Sequence, residues 1–142
     1  VLLRDNNYVK NAIQWTEKLS IFLSKEIKQR MNLDSQEYSL NFRHIGLNAV
    51  LGELEKNIGN PSEVGALCFI TSKVPDICTE IAKLINPFLL HFPLTVDEEL
   101  PTFAFPYSPV HSDRGFVYEF ALHHVLELND SMDAFQIKTL EI

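Results

Sequence analysis

Residues Val64 to Thr71 read VGALCFIT, an uncharged apolar run with turn signals on both sides. The run is too short for a core helix, and its lack of alternation marks a strand covered on both faces. Such a strand belongs in the middle of a sheet. Directly behind it, Thr71 or Ser72 can cap a helix, Pro75 is tolerated in the first turn, and Asp76 suits the positive N-terminal end. Ile77, Ile81, Leu84, Ile85, Phe88 and Leu89 supply the buried stripe, and Pro87 kinks or ends the helix. Val64 to Asn86 is therefore a strand-then-helix unit to which the rest of the chain must fit.

Upstream, apolar residues recur at Tyr8, Ala12, Trp15, Leu19 and Phe22, and again at Val9, Ile13, Leu23 and Ile27. That spacing predicts one amphipathic helix from Asp5 or Asn6, either of which can cap it, to about Met31. Lys25, Lys28 and Arg30 complement its negative C-terminal end. After a polar connector, Tyr38, Leu40 and Phe42 alternate with Ser39, Asn41 and Arg43 as a half-buried strand does, and Gly46 ends it. Leu47 to Leu54 reads as a short helical turn or irregular piece.

Downstream, prolines at 93, 101, 106 and 109 predict an extended excursion over His91 to Pro109, with an acidic patch at Val96 to Leu100. Phe103, Phe105 and Tyr107 could form a recognition surface, but their period of two favours an extra edge strand folded onto the core. From Phe116 to Leu128 the alternation is long, with Phe116, Tyr118, Phe120, Leu122 and His124 on the core face. Asn129 to Ser131 turns the chain toward a last strand over Ala134 to Ile142, paired with it as a hairpin. The expected architecture is a single α+β domain over residues 1–142, with two helices packed on one face of a mainly antiparallel sheet.

The chain has 142 residues, 46% of them hydrophobic, which is enough for one core. No apolar run reaches the roughly 20 residues of a membrane helix, so no span is expected. Twelve Lys and Arg against nineteen Asp and Glu give a net charge of -7, which repels phosphate backbones and anionic lipids. Nucleic acid and membrane are thus not expected partners. Cys68 and Cys78 are too few for a disulfide scaffold and lack zinc spacing, so a reducing, cytoplasmic setting is the default expectation. The absence of a starting methionine suggests a piece of a longer chain.

His123 and His124 are adjacent on the expected strand, so they point to opposite faces and cannot chelate one metal together. No metal site is expected. His124 reads as a core residue; His123 shares a face with Glu119, which is about 13 Å away along a strand. His111, Ser112, Asp113 and Arg114 form a polar cluster that could hold an anion or orient a carboxylate, although Ser, Asp and Gly also favour turns. Ser108 lacks the surroundings of a nucleophile elbow, and Cys68 in an apolar strand should have a raised pKa. Thr71-Ser72-Lys73 could present N–H groups and a lysine to an anion, as any capped helix can.

Four stretches together carry a family likeness: FRHIGLNAVLGELE (Phe42 to Glu55), EVGALCFITS with its helix ending NPFLLHFPL (Glu63 to Leu94), FAFPYSP (Phe103 to Pro109) and GFVYEFALHHVLELNDSMDAFQI (Gly115 to Ile137). In this order they resemble the C-terminal part of AtuA-type acyclic terpene utilisation proteins, over roughly residues 38 to 140. The resemblance implies a larger N-terminal region as partner and a context of carboxylate or acyl-CoA catabolism. It maps no catalytic residue, and Ser112-Asp113-Arg114-Gly115 only loosely echoes the R-S-G-D-K-G stretch of some relatives.

Three roles follow as expectations. The first is a supporting domain packed on that N-terminal region. The second is a catalytic domain, with His111 or His123 as general acid-base and Arg114, with Ser112, gripping a substrate carboxylate. The third is an interaction module using the Pro101 to Pro109 loop. No motif assigns a cofactor, and a second copy of the chain is also an admissible partner.

Overall fold

The computed structural model describes residues 1–97, 103–118, 127–130, 132–135 and 138–140. Its elements are β1 (Leu2–Leu3), α1 (Asn6–Lys10), α2 (Ala12–Met31), β2 (Tyr38–Ile45), a 3-10 turn (Gly52–Leu54), β3 (Val64–Ser72) and α3 (Pro75–His91). The three strands form an antiparallel sheet in the order β1-β3-β2. The architecture is α+β, with α2 and α3 against one face of the sheet.

The apolar run at 64–71 is the central strand, as its composition requires, but among the described residues the helices cover one face only. Register explains which. Leu40 pairs with Ile70, Phe42 with Cys68 and His44 with Ala66, and these six side chains turn toward the helices. Asn41 pairs with Phe69, Arg43 with Leu67 and Ile45 with Gly65, and these turn away. On that outer face Ile45 is 53% exposed, Phe69 44% and the β1 residue Leu2 40%. A run without alternation therefore does not require two covered faces: here its outward members are Gly65, Leu67, Phe69 and Thr71.

The expected first helix is two. Asp5 caps it as anticipated, its carboxylate accepting from the N–H groups of Asn7 at 2.8 Å and Tyr8 at 3.3 Å. At Asn11 the backbone leaves helical values (φ −112, ψ 22), and the Asn11 side chain instead donates to the Asn7 carbonyl and side chain. This is the local competition that asparagine offers a helix. α2 then runs to Met31 and ends on Asn32 in the left-handed region (φ 56), with the Asn32 N–H bonded to Lys28.

β2 ends at Gly46, whose φ of 97 suits glycine and where an added Cβ would meet the Glu63 carbonyl at 3.2 Å. The segment at 47–54 is irregular helical turn, as read from its spacing. The residue before α3 is Val74, without a side-chain cap. The expected capping by Thr71 or Ser72 does not occur, because Ser72 Oγ donates to the Glu37 carbonyl at 2.7 Å while accepting from Val74 N–H at 3.2 Å. Pro75 does sit in the first turn. Pro87 neither starts nor ends α3, which continues four residues beyond it to His91.

Phe103 and Phe105 fold onto the core, and Ala104 bridges antiparallel to Leu2 beside the sheet, in keeping with the extra-edge expectation. The expected strands near the chain end are corrected where they are described. Phe116, Val117 and Tyr118 are in no strand, and Phe116 and Tyr118 are 85% and 87% exposed rather than core. Nor do the described residues of 134–142 lie in a strand. Alternation decides which side chains share a face; it does not supply the neighbouring strand whose N–H and C=O groups a ladder needs. The rest of the long alternating stretch, 119–126, lies outside the described residues.

The buried core joins Trp15, Leu19, Leu23 and Ile27 of α2 with Ile81, Ile85 and Leu89 of α3 and Val64 and Ala66 of β3. Phe103 closes one end, its ring edge-on to both Tyr8 (4.9 Å) and Trp15 (5.1 Å). At the other end Arg30, ion-paired with Glu26 at 2.7 Å, lies 5.8 Å over the Phe88 ring and links the two helices.

Candidate functional site

The polar cluster singled out in the sequence is a turn beside α3. His111 is half-buried, and its Nδ1 accepts from the Asn86 side-chain amide at 3.3 Å. Asp113 accepts from Gly115 N–H at 2.7 Å, closing a local turn in which Gly115 has a φ of 73. Ser112, Asp113 and Arg114 are exposed. Cys78 of α3 is close enough to feel the Asp113 charge, and its thiol is pushed above its usual range, first by burial and also by that carboxylate. A thiol so placed is held protonated and is a poor nucleophile. His123, with His124, lies outside the described residues.

The alternative anion position at 71–73 is already engaged. Thr71 Oγ1 and Ser39 Oγ share a hydrogen bond at 2.7 Å, and the Ser72 hydroxyl joins Glu37 to Val74. Cys68 faces the helices, and burial drives its thiol up to about 12, in line with the inert role expected of it.

One constellation was not foreseen. Thr16 of α2, His44 of β2 and Asn48 just after it form a chain: Thr16 Oγ1 lies 2.8 Å from His44 Nε2, and the Asn48 side-chain amide lies 3.3 Å from Nδ1. Hydroxyl, imidazole and amide in this order resemble a nucleophile, base and orienting group. Burial says otherwise. The one hydroxyl proton of Thr16 is shared between His44 Nε2 and the Ile13 carbonyl, which lies at 2.9 Å. Thr16 and His44 are both buried, so no substrate reaches them. The network clamps β2 to α2. Burial holds His44 below the ordinary histidine value, against the opposing effects of Asn48 and Glu17. The signal was available in the sequence: His44 continues the core-facing alternation of Tyr38, Leu40 and Phe42.

Beside this clamp is a solvent-open cleft of about 550 Å³, where Ile13, Leu47 and Ile58 meet Lys10 and Glu17. A second, of about 410 Å³, lies over the start of α1. Neither is lined by His111, Ser112 or Arg114. Among the described residues no group of three or more His, Cys, Asp or Glu side chains could hold a metal ion, and no helix is long and apolar enough to cross a membrane.

No family model, no curated protein and no solved structure matches the chain.

Proposed function

We propose that this chain is a supporting domain of an AtuA-type protein, packed on the preceding region of the same polypeptide and serving an enzyme of carboxylate or acyl-CoA catabolism. The family part of this reading rests on the resemblance of the four stretches between Phe42 and Ile137. The supporting role rests on one observation: the outer face of the sheet carries exposed apolar side chains, with Leu2, Ile45 and Phe69 each at least 40% exposed on it. A face of aligned apolar side chains marks an interaction surface rather than a solvent boundary. Two further features agree with it. The Thr16–His44–Asn48 chain is closed to substrate, and the turn holding His111 and Arg114 borders neither cleft.

The third expected role, recognition through the 101–109 loop, loses its main support because Phe103 and Phe105 pack on the core. The test of the supporting role is the turnover of carboxylate and acyl-CoA substrates by the complete protein, with and without residues 1–142. Loss of turnover on deletion, restored when the domain is added back, is the expected result. Unchanged turnover overturns the proposal.

A further inference from the structure

The outer sheet face carries a second feature besides its apolar side chains. The Arg43 guanidinium lies over the Phe69 ring, 5.2 Å from its centroid, with Leu67 as its cross-strand partner. In a chain with nineteen acidic residues, Arg43 is the one charged side chain that the described strands β1, β2 and β3 place on this face. Among the described residues Arg43 has no carboxylate partner. Depletion of charge around a stacked arginine and an aromatic ring is the composition of an interface centre. Its one cation calls for one anion opposite.

Size limits the occupant. Strands β2 and β3, each about 25 Å long, with the two-residue β1 beside them at about 5 Å spacing, offer about 300 Å², short of the roughly 800 Å² per partner that a stable free complex buries. Two copies meeting face to face would therefore be too weakly held. A tethered region needs less, since contacts within one polypeptide run from about 600 Å² in total and gain from high effective concentration.

Resting on the supporting role argued above, we propose that the outer sheet face seats a region of the same polypeptide that brings one carboxylate onto Arg43 inside an apolar surround. The planar guanidinium, already held against Phe69, offers its N–H edge to both oxygens of an Asp or Glu with little further ordering.

The test uses the complete protein carrying Asn41→Cys, a reporter on the same face, with maleimide labelling followed at that site by mass spectrometry. Slow labelling is expected, because the face is covered. Added Arg43→Glu should raise the labelling rate at least roughly tenfold by setting like charges together, and Arg43→Lys, which keeps the charge but loses the stacked two-pronged fork, should raise it less. Circular dichroism of each variant separates uncovering from unfolding, and labelling of Cys68, packed against the core, serves as an internal control. Fast labelling before any change at Arg43 overturns the supporting role and this inference with it. Slow labelling that Arg43→Glu does not alter leaves the face covered but removes the carboxylate.

Discussion

The indole Nε1 of Trp15 donates to the carbonyl of Phe92 at 2.9 Å, joining the first turn of α2 to the residue that follows α3. Two neighbours hold the same strap. Tyr8 Oη accepts from Leu94 N–H at 3.0 Å, and Lys18 Nζ donates to the Leu94 carbonyl at 3.0 Å. The chain leaving α3 is thus bound by side chains from both N-terminal helices. Trp15→Phe should destabilise the fold by about 2–4 kcal/mol, from a vacated core volume and an unpaired carbonyl. Tyr8→Phe, which leaves the Leu94 N–H without this acceptor, should cost about 1–3 kcal/mol. Lys18→Met should cost under about 1 kcal/mol, since Lys18 is largely exposed. Denaturant midpoints at constant slope would check the order Trp15, Tyr8, Lys18.

His44 makes stability depend on pH in a defined direction. Its folded-state pKa lies below the ordinary value because burial disfavours the charged ring. The unfolded chain titrates at about 6.5, so between that pH and the lower folded value the unfolded state binds more protons. Stability from His44 is therefore complete above about pH 6.5 and declines as the pH falls toward the folded value. Urea midpoints measured from pH 7.5 to pH 5 should fall, and His44→Gln should show a shallower decline. An equal decline in both proteins would assign it to other groups.

The two expected helical stretches and the strands β2 and β3 sit where local chemistry can be read, whereas the two-residue β1 was not foreseen. The cap at Asp5, the stop at Gly46 and the alternation from Tyr38 are decided within a few residues. What could not be read depends on distant partners. Whether VGALCFIT is covered once or twice depends on what lies over Phe69, and whether Phe116 and Tyr118 are buried depends on an edge to receive them. The break at Asn11 is a balance between side-chain and helical bonding that periodicity does not register. For the site, Ser112, Asp113 and Gly115 were legible as turn formers, and the Asp113–Gly115 bond realises that reading. The His44 clamp needed only the strand alternation carried one step further, but its partner Thr16 lies 28 residues away.

The two thiols should react at different rates. Cys68 is packed on the core with its pKa pushed up to about 12, whereas Cys78 lies on α3 beside the 111–115 turn with a smaller raise. At pH 8 a disulfide reagent should modify Cys78 first and Cys68 only on the timescale of opening, with both equal in denaturant. The raised Cys68 value also means that its contribution to stability is intact below about pH 9 and is lost as the pH rises toward about 12. Equal rates in the folded protein would place Cys68 at the surface.

Support and catalysis make different demands on the turn that carries His111 and Arg114. His111 bonds Asn86, while Ser112 and Arg114 face solvent. If the domain supports chemistry done elsewhere, His111→Ala and Arg114→Ala in the complete protein should each change kcat/KM less than about threefold. A general acid-base or a carboxylate clamp would lose about a hundredfold or more. The pH profile gives a second readout, because removing a general acid-base removes its limb from the profile. A hundredfold loss together with a vanished limb would move the reaction into this domain. A small loss with an unchanged profile leaves His111 as the residue that pins the 111–115 turn to α3.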